Sequence, residues 1–119
     1  MTKRPEVITD RRSFIDIQSN GKKWVSRGLI VCIKKNDLGI KRVGYTVSKR
    51  VDKSAVKRNR IKRRLRSAAA DVLSGYAKDS VDYVILGRKE TLLRPYQTLV
   101  NDLKWCLEKT GYYQETYKS

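Results

Sequence analysis

The chain has 119 residues, 28 of them Lys or Arg against 12 Asp or Glu, for a formal charge of +16. That length suits one domain with a real core and leaves no room for a second, and the charge points to a polyanionic partner. There is no histidine, which excludes Ser-His-Asp and Cys-His nucleophiles and histidine-ligated zinc.

Residues 1–8 read as a flexible N-terminal arm that lacks the apolar stretch of a signal peptide. Thr9 or Asp10 caps a short helix reaching about Ser19, with Phe14 and Ile17 on one face and Asn20-Gly21 as its end. Residues 24–35 alternate as a single strand. Val25, Leu29, Val31 and Ile33 fall on a core face; Trp24, Ser26, Ile30, Cys32 and Lys34 fall on a mixed, partly accessible one. The longest apolar run, 29–33, is far short of the roughly 20 residues a membrane span needs, so no membrane partner is expected. Asn36-Asp37-Leu38-Gly39 supplies turn chemistry, and a second strand runs over about 41–49.

A long helix follows over about 55–74, with Ser54 as N-cap, Gly75 as stop, and Ile61, Leu65, Ala68, Val72 and Tyr76 as its apolar stripe. A third strand spans about 81–88. Pro95 opens a last helix at its first position, with Tyr96, Leu99, Val100, Leu103 and Leu107 as the buried face and Thr110-Gly111 as its close. Residues 112–119 form a C-terminal tail beyond a domain of 9–111. Cys32 and Cys106 sit far apart in apolar stretches and read as buried thiols, which fits a reducing, cytoplasmic setting. The order α-β-β-α-β-α specifies an α+β sandwich with one sheet and a parallel crossover through the long helix.

Residues 41–66 hold twelve of the 28 basic residues and a single acid, Asp52. Opposite the Ile61/Leu65 stripe a helical projection gathers Asn59, Arg63 and Arg66, flanked by Arg60 and Lys62. A merely solvated face usually mixes signs at i,i+4 spacing, and this one does not. Cations also crowd the first half of the helix, where its dipole favours anions. Both features fit a surface that phosphates neutralise. Guanidinium forks grip phosphate and stack on bases, which favours irregular RNA over DNA; a preceding helix at helix-turn-helix spacing and zipper heptads are both missing.

The residues Val43-Gly44-Tyr45-Thr46-Val47-Ser48-Lys49-Arg50, then Ala55-Val56-Lys57-Arg58-Asn59-Arg60-Ile61-Lys62-Arg63-Arg64-Leu65-Arg66, then the strand from Asp82 to Arg88, resemble the bacterial ribonuclease P protein component over about residues 9–110. The resemblance implies a sandwich with a left-handed βαβ crossover, similar to a domain of ribosomal protein S5. It implies a subunit that binds the catalytic RNA of ribonuclease P and assists removal of the 5′ leader of precursor tRNA. Hydrolysis there belongs to the RNA and its Mg²⁺, with no catalytic side chain from the protein.

By that resemblance Arg58, Asn59, Arg60, Lys62, Arg63 and Arg66 contact the catalytic RNA, with Lys49 and Arg50 binding RNA nearby. A leader-binding cleft between the first helix and the sheet takes Phe14 on one side and Trp24, Ser26, Cys32 and Lys34 on the other. Relatives carry further aromatics where Gln18 and Cys32 stand. Two other functions compete: a structural RNA-binding protein of ribosomal type, and a protein-only nuclease with Asp79 and Asp82 on a metal. Acids at a turn and a strand edge account for the latter pair more simply.

Overall fold

In the computed structural model, which describes residues 5–114, five strands form one mixed sheet with helices on both faces. The chain runs β1 (Glu6–Val7), α1 (Arg11–Asn20), β2 (Lys22–Val25), β3 (Leu29–Lys35), β4 (Arg42–Thr46), α2 (Ala55–Tyr76), β5 (Val81–Gly87), α3 (Glu90–Leu93) and α4 (Tyr96–Thr110). In space the strands lie in the order β1-β4-β5-β3-β2. β4 and β5 are parallel neighbours joined through α2, while β3 is antiparallel to both β5 and β2.

The expected α+β architecture is present, and the alternation of β3 and β5 explains its two cores, one on each face of the sheet. Leu29, Val31 and Ile33 pack with Val43, Tyr83 and Ile85 into the larger core beneath α2 and α4. Cys32 and Val84 point the other way and meet Ile8 and Ile17 beneath α1, with Phe14 packed alongside. The stripe Ile61, Leu65, Ala68 and Val72 closes the larger core from α2. At β5, Gly87 lets α2 come close: a Cβ there would lie 2.4 Å from Ile61 Cγ2 and 2.8 Å from Val47 Cγ2.

Local chemistry sets the element ends. The Asp10 side chain caps α1 by accepting from the Ser13 N–H at 2.9 Å, and Ser54 caps α2 by accepting from the Lys57 N–H at 3.3 Å. Gly111 closes α4 with φ +85°, a left-handed conformation that glycine adopts without a Cβ penalty.

Several expectations are corrected. The strand read over 24–35 is a hairpin, β2 and β3, turned at 26–28. Its hinge is Ser26, whose Oγ donates to the Leu29 carbonyl at 2.7 Å and accepts from the Leu29 N–H at 3.2 Å. Chain reversal sets Trp24 opposite Val31 and Val25 opposite Ile30, so the two faces assigned to Trp24 and Val25 are exchanged. A period of two cannot reveal such a turn when the alternation continues through it.

The second strand ends at Thr46, because 47–54 form the loop entering α2. Gly75 does not stop α2: it is buried inside the last turn, and Ala77 is the cap. Lys41, itself buried, donates from Nζ to the Leu73 carbonyl at 2.5 Å and so satisfies that end of the helix. Pro95 precedes α4 as its N-cap, and α3 adds a short helix before it.

The terminal segments are also tied down where described. Glu6 and Val7, expected in a free arm, pair in parallel with Arg42 and Val43, and Ile8 is buried. Tyr113 bridges Ala77 and stacks on Tyr76 with centroids 5.8 Å apart. The remainder of the expected arm and tail lies outside the described residues.

Candidate nucleic-acid interface

α2 carries its basic residues on a body that the sheet holds from one side only. No acid occupies its first turn. The entering loop is braced instead by Asp52, which accepts from the Ser54 N–H at 2.9 Å, and by Arg58, whose Nη1 donates to the Asp52 and Lys53 carbonyls at 2.9 Å each. Arg58 is thus partly occupied in holding the start of the helix that presents the others.

Asn59 and Arg63 are exposed along the crest of the helix. On one flank Lys62 and Arg66 turn toward β4, where the Arg66 guanidinium sits 5.7 Å from the centroid of the Tyr45 ring. Burial pushes the Tyr45 phenol up from its ordinary value, so this ring stays neutral beside the cation. On the other flank Arg60 and Arg64 turn toward Leu92 and Tyr96. Lys49 and Arg50 stand exposed in the loop entering α2.

β1 pairs only with Arg42 and Val43, which leaves the Tyr45–Thr46 end of β4 without a β1 partner. A groove of about 470 Å³ lies there, lined by Thr9, Arg11, Phe14, Ile15 and Gln18 from α1 and its lead-in, Tyr45 and Thr46 from β4, and Lys62 from α2. The Phe14 ring rests on the bare backbone of Gly44, where a Cβ would lie 2.6 Å from Phe14 Cζ. Lys62 joins this groove to the basic helix.

Of the five residues expected to line a cleft under α1, the structure places Phe14 in the groove and distributes the other four. Cys32 is buried under α1 in the same apolar cluster as Phe14, a packed floor with no open face. Lys34 reaches over the edge of α1 to an ion pair with Asp16, and that bond holds the Asp16 carboxyl below its ordinary value. Trp24 lies on the opposite side of the sheet, packed against the larger core and edge-on to Trp105 at 5.8 Å. Ser26 is spent on its own hairpin, where its carbonyl also accepts from Arg88 Nη1 at 2.6 Å. The hairpin carries Trp24 and Ser26 away, as reversal of the β2 face requires.

Arg11 and Tyr45 were missed by sequence reasoning. The spacing of Arg11, Phe14, Ile15 and Gln18 (i, i+3, i+4, i+7) was the available signal, since it puts all four on one helical face.

The carboxylates weighed for a nuclease are occupied elsewhere. Asp82 is buried between Arg42, which donates from Nε at 2.8 Å and Nη2 at 2.6 Å, and Asn36, which donates at 2.7 Å. Asp79 faces the Lys41 ammonium at 3.9 Å. Burial raises both thiols, Cys106 to about 11, so both stay protonated and unreactive near neutral pH.

The family described as Ribonuclease P matches residues 2–111. A ribonuclease P protein component from Paramagnetospirillum magneticum is 42% identical over 122 aligned residues, covering 98% of this chain and 91% of that protein. Another from Gluconacetobacter diazotrophicus is 38% identical and covers 93% of this chain and 96% of its own. The fold matches the solved ribonuclease P proteins of Staphylococcus aureus and Thermotoga maritima. Each has a TM-score of 0.74 at 24% identity, covering 91% and 87% of this chain and 97% and 96% of those chains.

Proposed function

Because the chain belongs to the ribonuclease P protein family, we propose that it is the protein subunit of a ribonucleoprotein endoribonuclease, binding the catalytic RNA through α2 and holding the 5′ leader of precursor tRNA in the groove beside α1. The observation that carries this reading is the continuity at Lys62 between the basic crest of α2 and the groove around Phe14. A guanidinium-rich ridge takes closely spaced phosphates. A groove with an aromatic floor and cationic rims at Arg11 and Lys62 suits a single strand, whose bases have free faces to stack.

In this reading Asn59, Arg60, Arg63 and Arg66 neutralise phosphates of the catalytic RNA, Arg58 braces the start of their helix, and Lys49 and Arg50 extend the contact along the loop. Phe14 and Tyr45 offer ring surfaces to the leader. Mg²⁺ held mainly by the RNA would supply the hydrolytic chemistry, and these protein residues would contact RNA rather than the ion. The protein acts by lowering the repulsion between two polyanions and by orienting the leader. The same reading makes the β4–α2–β5 crossover left-handed, as in the ribosomal protein S5 domain, and places the work in the cytoplasm.

The test is cleavage of precursor tRNA at low Mg²⁺ by a bacterial ribonuclease P RNA with and without this chain. Release of the leader stimulated by the pair, with none from the protein alone, is the expected result. No stimulation by a folded, RNA-binding chain overturns the reading.

A further inference from the structure

The flank of α2 turned away from α1 forms a second groove that the leader reading leaves unused. It has a volume of about 410 Å³ and is lined by Arg60, Arg63, Arg64, Ser67, Leu92 and Tyr96, with no acid among these residues. Its two sides differ in chemistry. The α2 side offers three guanidiniums one helical turn or less apart; the opposite side offers Leu92 and the Tyr96 ring, with Leu93 80% exposed beside them.

One member of each wall, Arg64 and Tyr96, is held in place before any ligand arrives. Arg64 donates from Nη2 to the Arg94 carbonyl, and Arg94 is clamped to Asp102 through Nε at 2.6 Å and Nη2 at 3.0 Å. Arg64 Nε is buried and has no partner among the described residues. The Tyr96 hydroxyl donates to Asp71, which orients the ring and uses the nearest carboxylate. Burial and that bond push the phenol up to about 12, so the ring remains neutral.

We propose that this α2–α4 groove receives one unpaired nucleotide of the catalytic RNA, its phosphate between Arg60 and Arg63 and its base against Tyr96 and Leu92. The inference rests on the subunit reading above and commits to the catalytic RNA, because the groove lies across α2 from the one assigned to the leader. An amphipathic occupant with an anionic edge and a flat apolar face fits the paired walls; a duplex backbone would use the arginines and leave the ring idle.

The experiment measures binding of the full chain to a bacterial ribonuclease P RNA, without tRNA, over a range of salt, for wild type, Tyr96→Ala, Tyr96→Phe and Arg60→Ala, with thermal unfolding as a fold check. Stacking on one base predicts that Tyr96→Ala weakens binding about 5- to 150-fold. Tyr96→Phe keeps the ring, loses only the Asp71 tie, and binds more tightly than Tyr96→Ala. Arg60→Ala makes the slope of log K against log salt shallower by about 0.7 to 0.9, and Tyr96→Ala leaves that slope unchanged.

Wild-type affinity in a folded Tyr96→Ala overturns the inference, as does equal loss in the Phe and Ala variants, which would assign the effect to the Asp71 tie. A parallel titration with leader-bearing precursor added, if it alone shows the loss, also overturns it. If the wild-type chain fails to bind the RNA at all, the subunit reading falls first.

Discussion

Replacing Gly44 with alanine tests how the leader groove is built. The new Cβ would lie 2.6 Å from Phe14 Cζ, 2.7 Å from Phe14 Cε1 and 3.4 Å from Ile8 Cβ. Carbon pairs settle at about 3.5–4.0 Å, so the ring must move outward by about 1 Å. Overpacking of this size costs about 1–3 kcal/mol, and the low end applies because the Phe14 ring is only partly buried and has an open side to move toward. For a domain of this size, 1–2 kcal/mol lowers Tm by about 4–8 °C.

A double-mutant cycle isolates the contact. In a Phe14→Ala background the clash is gone, and Gly44→Ala should be neutral or stabilising by up to about 1 kcal/mol, because a strand interior disfavours glycine. Functionally, displacing the ring should shrink the preference of the RNA–protein complex for precursor with a leader over precursor without one, in Gly44→Ala and Phe14→Ala alike. Calorimetry gives the first quantity and competition binding the second. An undiminished cost of Gly44→Ala in the Phe14→Ala background would refute the steric reasoning, and an unchanged leader preference would remove Phe14 from the groove's function.

Arg63→Ala should leave Tm within about 2 °C, since the side chain is exposed, while weakening binding to ribonuclease P RNA and flattening its salt slope by about 0.7–0.9; titration at several salt concentrations checks both. The Asp16 carboxyl is held below its ordinary 3.8 by Lys34 and Asn20, so its contribution to stability is present above that value and is lost as pH falls through the lower, folded-state value. Asp16→Asn should therefore flatten the acid limb of a stability–pH curve below about pH 4. Leu65→Ala removes a fully buried side chain of α2 and should cost about 2–5 kcal/mol by denaturant titration. Cys32 and Cys106 should resist a thiol reagent at pH 8 in the native chain and react at once in denaturant.

The long basic helix was legible because two signals agree there. Ser54 opens it, and Ile61, Leu65, Ala68 and Val72 recur at helical spacing, so the cationic residues could fall only on the remaining surface. The groove was harder to read. Phe14 could be named from its helix, yet its partners Tyr45 and Thr46 come from a strand about thirty residues on and meet it only because β1 stops short. Trp24 and Ser26 were misplaced because a hairpin turn through Ser26 leaves the alternation of residues 24–35 intact while reversing which face each residue joins. Glycine near the end of a helical pattern reads as a stop, yet Gly75 lies buried within α2, which runs on to Tyr76. The groove needed a distant segment to complete it, whereas the hairpin turned on a contact only three residues long.

The hollow at Gly87 links the two faces of α2. Ile61 descends into the space that a side chain on β5 would fill, and both flanks of the helix ride on that seat, Lys62 toward α1 and Arg60 toward α4. That contact is the N-terminal one of a row of seats, continued by Leu65, Ala68 and Val72, that sets the height of the helix over the sheet. Any bulk added at Gly87 lifts or rolls the helix, widening one groove as it alters the other. The two grooves share α2 as their common wall, and the absence of a side chain at Gly87 is part of what sets where that wall stands.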